Sequence, residues 1–238
     1  MTKQESKSSP ATGSDLISLT IENMDKVLAG LGAEIKDKGI LQNIGLLAQQ
    51  IRGYGLFKGL AAELQTLIEA GTIKSDYLET PQYLDCLQEI LKFLDEDIPD
   101  EARFNALKAI FLVAASEQAS SRDEVLPHQY MRLCKKLSSG AVLVMLTEYR
   151  VITSNKPEGS FPRSLKAKAW QDNIAKEAGL KHAEMVALFD QDLVKINILS
   201  PLGPSDISFV KITERGRLTD LGWGLCEFIA YSDRFPLP

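Results

Sequence analysis

Apolar residues recur at spacings of mostly three or four from Leu16 onward. Leu16, Leu19, Met24, Val27, Leu28, Leu31 and Ile35 draw one stripe of an amphipathic helix. The next segment, LQNIGLLAQQIRGYGLFKGLAAELQTLIEAG, keeps the helical period but carries Gly53 and Gly55. Each glycine lowers helix propensity by about 1 kcal/mol, which predicts a bend or a short break there. In ETPQYLDCLQEILKFL, Thr80 can cap a helix and Pro81 suits its first position, while Leu84, Leu87, Ile90, Leu91 and Leu94 line one face. DIPDEARFNALKAIFLVAA repeats the device, with Pro99, Asp100 and Glu101 at the positive end of the helix dipole and Phe104, Leu107, Ile110 and Phe111 as the buried stripe. Two further helices are expected around 122–137 and 138–150. The second is apolar almost all round, which places it in the middle of a fold.

The stretch VITSNKPEGSFPRS has the Pro, Gly, Ser and Asn content of an exposed connection. After it the pattern reads helix, tight turn at Gly179, helix, strand, turn, strand, helix. The two strands are VKINIL and ISFVKI, rich in β-branched and aromatic residues, with the Pro and Gly of SPLGPSD between them as a hairpin loop. An apolar-Thr-x-x-Gly pattern occurs twice near the end, so either Thr213 or Thr219 can start the last helix. Because Leu218, Leu221, Leu225, Phe228 and Ile229 form one helical stripe, Thr213 is the expected cap, with Gly216 and Gly222 inside the helix.

Composition places the chain among ordinary globular proteins: 238 residues, 45% hydrophobic and 25% charged, enough for two modest cores. No apolar run approaches the roughly 20 residues that span a bilayer. The polar start MTKQESKSSPATGSD lacks the apolar core of a signal peptide and is expected to be a disordered tail over 1–13, which implies a cytoplasmic protein. Cys86, Cys134 and Cys226 are odd in number, far apart and embedded in apolar helical patterns, as reduced buried thiols would be. The net charge of −5 lies wholly in the first part: 15 Lys and Arg stand against 20 Asp and Glu through Thr147, and 12 against 12 from Glu148 onward. Such a surface repels a phosphate backbone, so any nucleic-acid contact falls to the second part.

The order of elements, with the segment ITERGRLTDLGWGLCEFI leaving the second strand, resembles the winged-helix superfamily over roughly residues 138–231. The expected fold is therefore mainly α: the tail, an acidic helical domain over 14–137, and a winged-helix-like domain with a two-stranded β-hairpin over 138–238. The resemblance implies DNA binding, with HAEMVALFDQDL as the recognition helix. That helix carries Glu184, Asp190 and Asp192, and only Gln191 and His182 among the side chains suited to base edges. The candidate phosphate contacts are Arg163, Lys166, Lys168, Lys211, Arg215 and Arg217.

Other chemistry is thinly represented. GYGLFKG has nearly the glycine spacing of a dinucleotide loop but follows a helical segment where a strand is required. DEDIPDE lacks the Gly and terminal Glu of a calcium loop. His128 and His182 have no Cys or His at metal spacing. Arg132, Lys135 and Lys136 flank Cys134, whose default reading is a buried core thiol. No catalytic, cofactor or metal residue is assigned. The expected role is a non-enzymatic interaction or regulatory protein that binds protein chains, a second copy of itself included. The alternative is a DNA-binding transcriptional regulator that dimerises through its helical domain.

Overall fold

The computed structural model describes residues 44–73, 80–96, 100–116, 126–154, 164–201, 209–211 and 215–231. The expected tail, the Leu16 to Ile35 stripe, the hairpin loop from 202 and Thr213 lie outside them. The architecture is mainly helical: α1 (Ile44–Glu69), α2 (Pro81–Glu96), α3 (Glu101–Ala115), α4 (Leu126–Lys136), α5 (Ser139–Thr153), β1 (Ser164–Lys166), α6 (Ala167–Glu177), α7 (Ala183–Lys195), β2 (Phe209–Lys211) and α8 (Asp220–Tyr231). No described helix is long and apolar enough to cross a membrane.

Local signals account for several helix starts. The Thr80 hydroxyl accepts from Tyr83 N at 3.2 Å, Asp100 from Arg103 N at 3.0 Å and Ser138 from Ala141 N at 3.2 Å, each satisfying one of the donors that a helix leaves open at its start. Helix α1 runs through Gly53 and Gly55 without the expected break. Burial of Phe57, Leu60, Leu64 and Leu67 on the same helix outweighs a propensity loss of about 1 kcal/mol per glycine. The nucleotide-loop lookalike is thus ordinary helix.

Contacts group the chain into two units: Met1–Pro99 with Ala114–Glu124 and Pro238, and Asp100–Val113 with Val125–Leu237. This grouping differs from a division at residue 137, because most of α3 and all of α4 belong with the C-terminal residues. In the first unit α1 and α2 bury their apolar stripes, with Tyr83, Ile90 and Phe93 fully enclosed, while Leu84 turns outward. An isolated antiparallel bridge joins Ile73 to Ser116.

The second unit is arranged around α5, which contacts α6, α7 and α8. Its buried residues Ala141, Val142, Val144, Met145, Thr147, Glu148 and Val151 point in several directions, as its nearly uniform hydrophobicity predicts. Gly140 lets the Phe189 ring of α7 lie where a side chain would otherwise be. Helix α6 ends in a left-handed turn at Gly179 (φ 69°), with Leu180 N donating to Ala175 O at 2.8 Å. This is the glycine-dependent helix stop expected from the sequence.

Two C-terminal expectations are corrected. The hairpin of VKINIL with ISFVKI is not seen among the described residues. Val194 and Lys195 complete α7, and β2 pairs antiparallel with β1 in the register Ser164–Lys211, Leu165–Val210 and Lys166–Phe209. Val194 belongs to α7's helical run, and the chain then turns at Asn197 (φ 60°), so alternating β-propensity yields to helix continuation. The last helix starts at Asp220, not after Thr213. Thr219 is its cap: the hydroxyl accepts from Gly222 N at 3.0 Å and donates to Asn197 O at 2.7 Å. Leu218 is buried outside the helix, in an antiparallel bridge with Leu199, so the apolar stripe simply outruns the helix. Gly216 likewise lies before the helix, with φ 61°.

Candidate functional site

The most unusual chemistry of the second unit is a buried ionic cluster. Four pieces of chain supply it: α5 gives Glu148, α6 gives Trp170, α7 gives Asp190 and the turn before α8 gives Arg217. The turn is fixed by the hydrogen bonds of Thr219 described above, together with Ser200 N to Arg217 O at 2.8 Å and Thr219 N to Ile198 O at 3.1 Å. Gly222 on α8 lies so close to the Ile198 carbonyl oxygen that an added Cβ would collide with it. The entry of α8 is thereby zipped onto the exit of α7, and Arg217 is directed inward.

Arg217 is only 2% exposed. Its Nη1 donates to Asp190 Oδ2 at 2.6 Å and to Glu148 Oε1 at 3.4 Å, and Nη2 and Nε donate to Ser200 O at 3.0 and 3.3 Å. The indole of the fully buried Trp170 donates to Glu148 Oε1 at 3.1 Å. One oxygen of each carboxylate, Glu148 Oε2 and Asp190 Oδ1, is buried with no hydrogen-bond partner. Two carboxylates therefore share one guanidinium. Burial pushes the Glu148 carboxyl up to about 7, helped by the nearby Asp190 charge and opposed by Arg217 and Trp170. Burial also raises Asp190, against the pull of Arg217. A proton held by the cluster near neutral pH relieves its excess negative charge.

Asp190 and Arg217 also line an open cleft of about 410 Å³ with residues of α6, α7 and the chain after it, among them Gln171, Gln191, Val194 and Pro201.

The six expected phosphate contacts do not share one fate. Arg163 lies outside the described residues. Lys166 ends β1 and Lys211 ends β2, at opposite ends of the three-pair ladder. Lys168 is exposed on α6. Arg215 is exposed and pairs with the Asp220 carboxylate, its guanidinium lying 5.6 Å from the centre of the Trp223 ring. Arg217 is the correction: expected among the accessible cations, it is only 2% exposed and its donors are engaged by Asp190, Glu148 and Ser200 O.

Asp190 was expected to oppose DNA from the surface of α7, yet it is buried. Glu148 was not singled out at all. Its signal was available in VLVMLTEY: a lone acid within a helix that is apolar nearly all round must be buried, and a buried acid needs a partner.

The remaining chemistry is quiet. The three cysteines are free and buried, and burial raises Cys134 to about 12, so the flanking basic residues do not make it a thiolate at neutral pH. His182 precedes α7 without a side-chain capping bond. Among the described residues no three His, Cys, Asp or Glu side chains gather as a metal site would require.

The chain matches no protein-family model, no curated protein and no solved structure.

Proposed function

We propose that this chain is a non-enzymatic interaction protein whose C-terminal unit is a winged-helix-like module that docks on protein surfaces. The helix pair α6 and α7 joined at Gly179, with the short β1–β2 ladder beside it, supports the winged-helix-like reading. A cytoplasmic regulatory role goes with that reading.

The observation that carries the reading is the outward face of α7, the helix that would enter a DNA groove. It presents Leu188, 54% exposed, and Met185, 40% exposed, beside the exposed Glu184. Lys195 at its end is paired with Asp192 at 3.2 Å. Exposed aliphatic side chains with an acid beside them suit a protein surface. Reading base edges calls for Arg, Lys, Asn or Gln, and only Gln191 and His182 answer. The cations nearby are further depleted, since Arg217 is internal and Arg215 is held by Asp220.

Partners under this reading are protein chains, a second copy included. Light scattering of the full chain and of a Leu188→Glu variant tests the second copy: an assembly that dissociates in the variant supports docking through α7. Binding of mixed duplex fragments tests the rival DNA-binding regulator. A complex at physiological salt that is weakened by Lys168→Glu and Arg215→Glu would replace the interaction reading.

A further inference from the structure

We propose that the buried cluster of Glu148, Asp190 and Arg217 is a proton-operated latch: holding one proton, it keeps the turn before α8 closed on the exit of α7, and losing that proton lets the turn loosen. The charges do not balance. Two carboxylates share one guanidinium, so the fully ionised cluster carries one negative charge too many inside the core, and a single proton removes the excess. Glu148 Oε2 and Asp190 Oδ1 are both buried without a hydrogen-bond partner. The packed arrangement therefore offers the extra charge no internal donor, and an ion buried in that condition is destabilising.

The groups around Glu148 show where the strain is relieved. On α6, Trp170 donates to Glu148 Oε1 at 3.1 Å. On α7, Asp190 adds a like charge, and from the turn Arg217 Nη1 lies 3.4 Å from Glu148 Oε1 but 2.6 Å from Asp190 Oδ2. On α8, the Cys226 thiol is held well above its ordinary range, first by burial and then by Cys134, Glu148 and Glu227, so it stays neutral. On α5 itself, Thr147 accepts from the exposed Arg150. Glu148 and Trp170 are fully enclosed, whereas Asp190 and Arg217 line the cleft of about 410 Å³, where the exposed Lys195 is paired with Asp192. The turn is thus the side of the cluster nearest to solvent. When Glu148 ionises, its proton leaves to solvent, and water entering beside the turn solvates the new charge. Arg217 sits on the stretch that closes α8 onto α7: Ser200 N donates to Arg217 O, Thr219 N to Ile198 O and Gly222 N to the Thr219 hydroxyl. A shift of Arg217 therefore loosens those bonds. With the Glu148 carboxyl pushed up to about 7, chiefly by burial, the latch is closed below neutral pH and loosens above it. It concerns interior residues and does not depend on what the exposed face of α7 binds.

The test is a pH titration of the full chain by nitrogen-proton correlation spectra between about pH 5.5 and 8.5. The Trp170 indole N–H reports the proton on Glu148, and the amides of Ser200, Thr219 and Gly222 report the turn. All four signals are expected to follow one transition near pH 7. Across it, hydrogen exchange at Ser200 and Thr219, corrected for base catalysis, should speed up at least about tenfold relative to the Leu180 amide at the end of α6. Glu148→Gln should erase the transition and keep the turn closed throughout. Trp170→Phe leaves all three charged groups in place and removes a donor that favours the ionised carboxyl, so the turn amides should respond with a raised midpoint. The proposal would be overturned by an indole that titrates while the turn amides stay flat, by the absence of any transition in this range, by a turn that still opens in Glu148→Gln, or by a midpoint that is unchanged or lowered in Trp170→Phe.

Discussion

Arg217 Nη1 and Asp190 Oδ2 lie 2.6 Å apart with both side chains buried, so an ion pair joins the turn before α8 to the middle of α7 inside the core of the second unit. Glu148 extends the pair to α5, and Trp170 extends it to α6. A single guanidinium thus links α5, α7 and the turn before α8 through charge, in addition to the backbone hydrogen bonds between that turn and the exit of α7. Its stabilising effect rests on completeness, because charges taken out of water are tolerated only while they are partnered.

Removing the arginine should therefore cost far more than removing an exposed one. Arg217→Leu leaves two carboxylates without their cation and is expected to destabilise the protein by about 3 to 5 kcal/mol. The exposed Lys168→Leu should change stability by less than about 0.5 kcal/mol. Urea unfolding of the two variants measures the difference. Similar midpoints would mean that the cluster contributes nothing to the fold.

The same cluster sets a pH dependence whose sign is opposite to that of an ordinary salt-bridged carboxylate. Glu148 is raised to about 7 in the folded protein by burial, whereas an unfolded glutamate titrates near 4.3. The folded state holds the proton to higher pH, so this stabilisation is complete below about pH 4 and is lost as pH rises through about 7. Asp190 is raised also and adds in the same direction. Wild type should lose a few kcal/mol relative to Glu148→Gln between about pH 5 and 8. Thermal unfolding of both across that range gives the difference curve. Parallel profiles would show that Glu148 does not carry the proton.

Glycine substitutions should separate close approach from helix propensity. At Gly222 an added Cβ collides with the Ile198 carbonyl oxygen, a backbone atom held in place by Thr219 N at 3.1 Å. Gly222→Ala should destabilise by at least about 2 kcal/mol. At Gly55, within α1, an added Cβ meets nothing within 4 Å apart from its chain neighbours and the helix's own backbone, so Gly55→Ala should stabilise by roughly 0.5 to 1 kcal/mol. Melting temperatures shifting in opposite directions check both predictions together.

Helix capping offers the same kind of contrast at the start of α8. The Thr219 hydroxyl both accepts from Gly222 N and donates to Asn197 O. Thr219→Ala should cost about 1 to 2 kcal/mol. Phe228→Ala, at a side chain 1% exposed on the same helix, should cost about 3 to 5 kcal/mol. Equilibrium unfolding that ranks them in the reverse order would contradict the cap and core roles assigned here.

These contrasts mark where the sequence was legible. Helix starts at Thr80, Asp100 and Ser138 follow from local hydrogen bonding, and the burial of α5 follows from its composition. The last helix was misplaced because Leu218 fits its stripe by spacing alone. Only the pairing of residues 197–200 with 217–219 shows that Leu218 is buried by a bridge and not by a helix. The ionic cluster was illegible for a related reason. Glu148, Asp190 and Arg217 are separated by 42 and 27 positions, and hydrophobic periodicity says nothing about which buried charges meet. Arg217 follows the exposed Arg215 in the same short motif, yet the Gly216 backbone sends the two side chains to opposite fates.

The interaction-module account stands or falls on what α7 and its surroundings do with DNA. Titrating the full chain with mixed genomic duplex fragments at physiological salt, read by fluorescence anisotropy, measures this directly. The account predicts no saturable complex in the micromolar range, and at most a weak contact that disappears by about 0.2 M salt. A sub-micromolar complex that persists at that salt and is lost in the Lys168→Glu, Arg215→Glu double variant would contradict it.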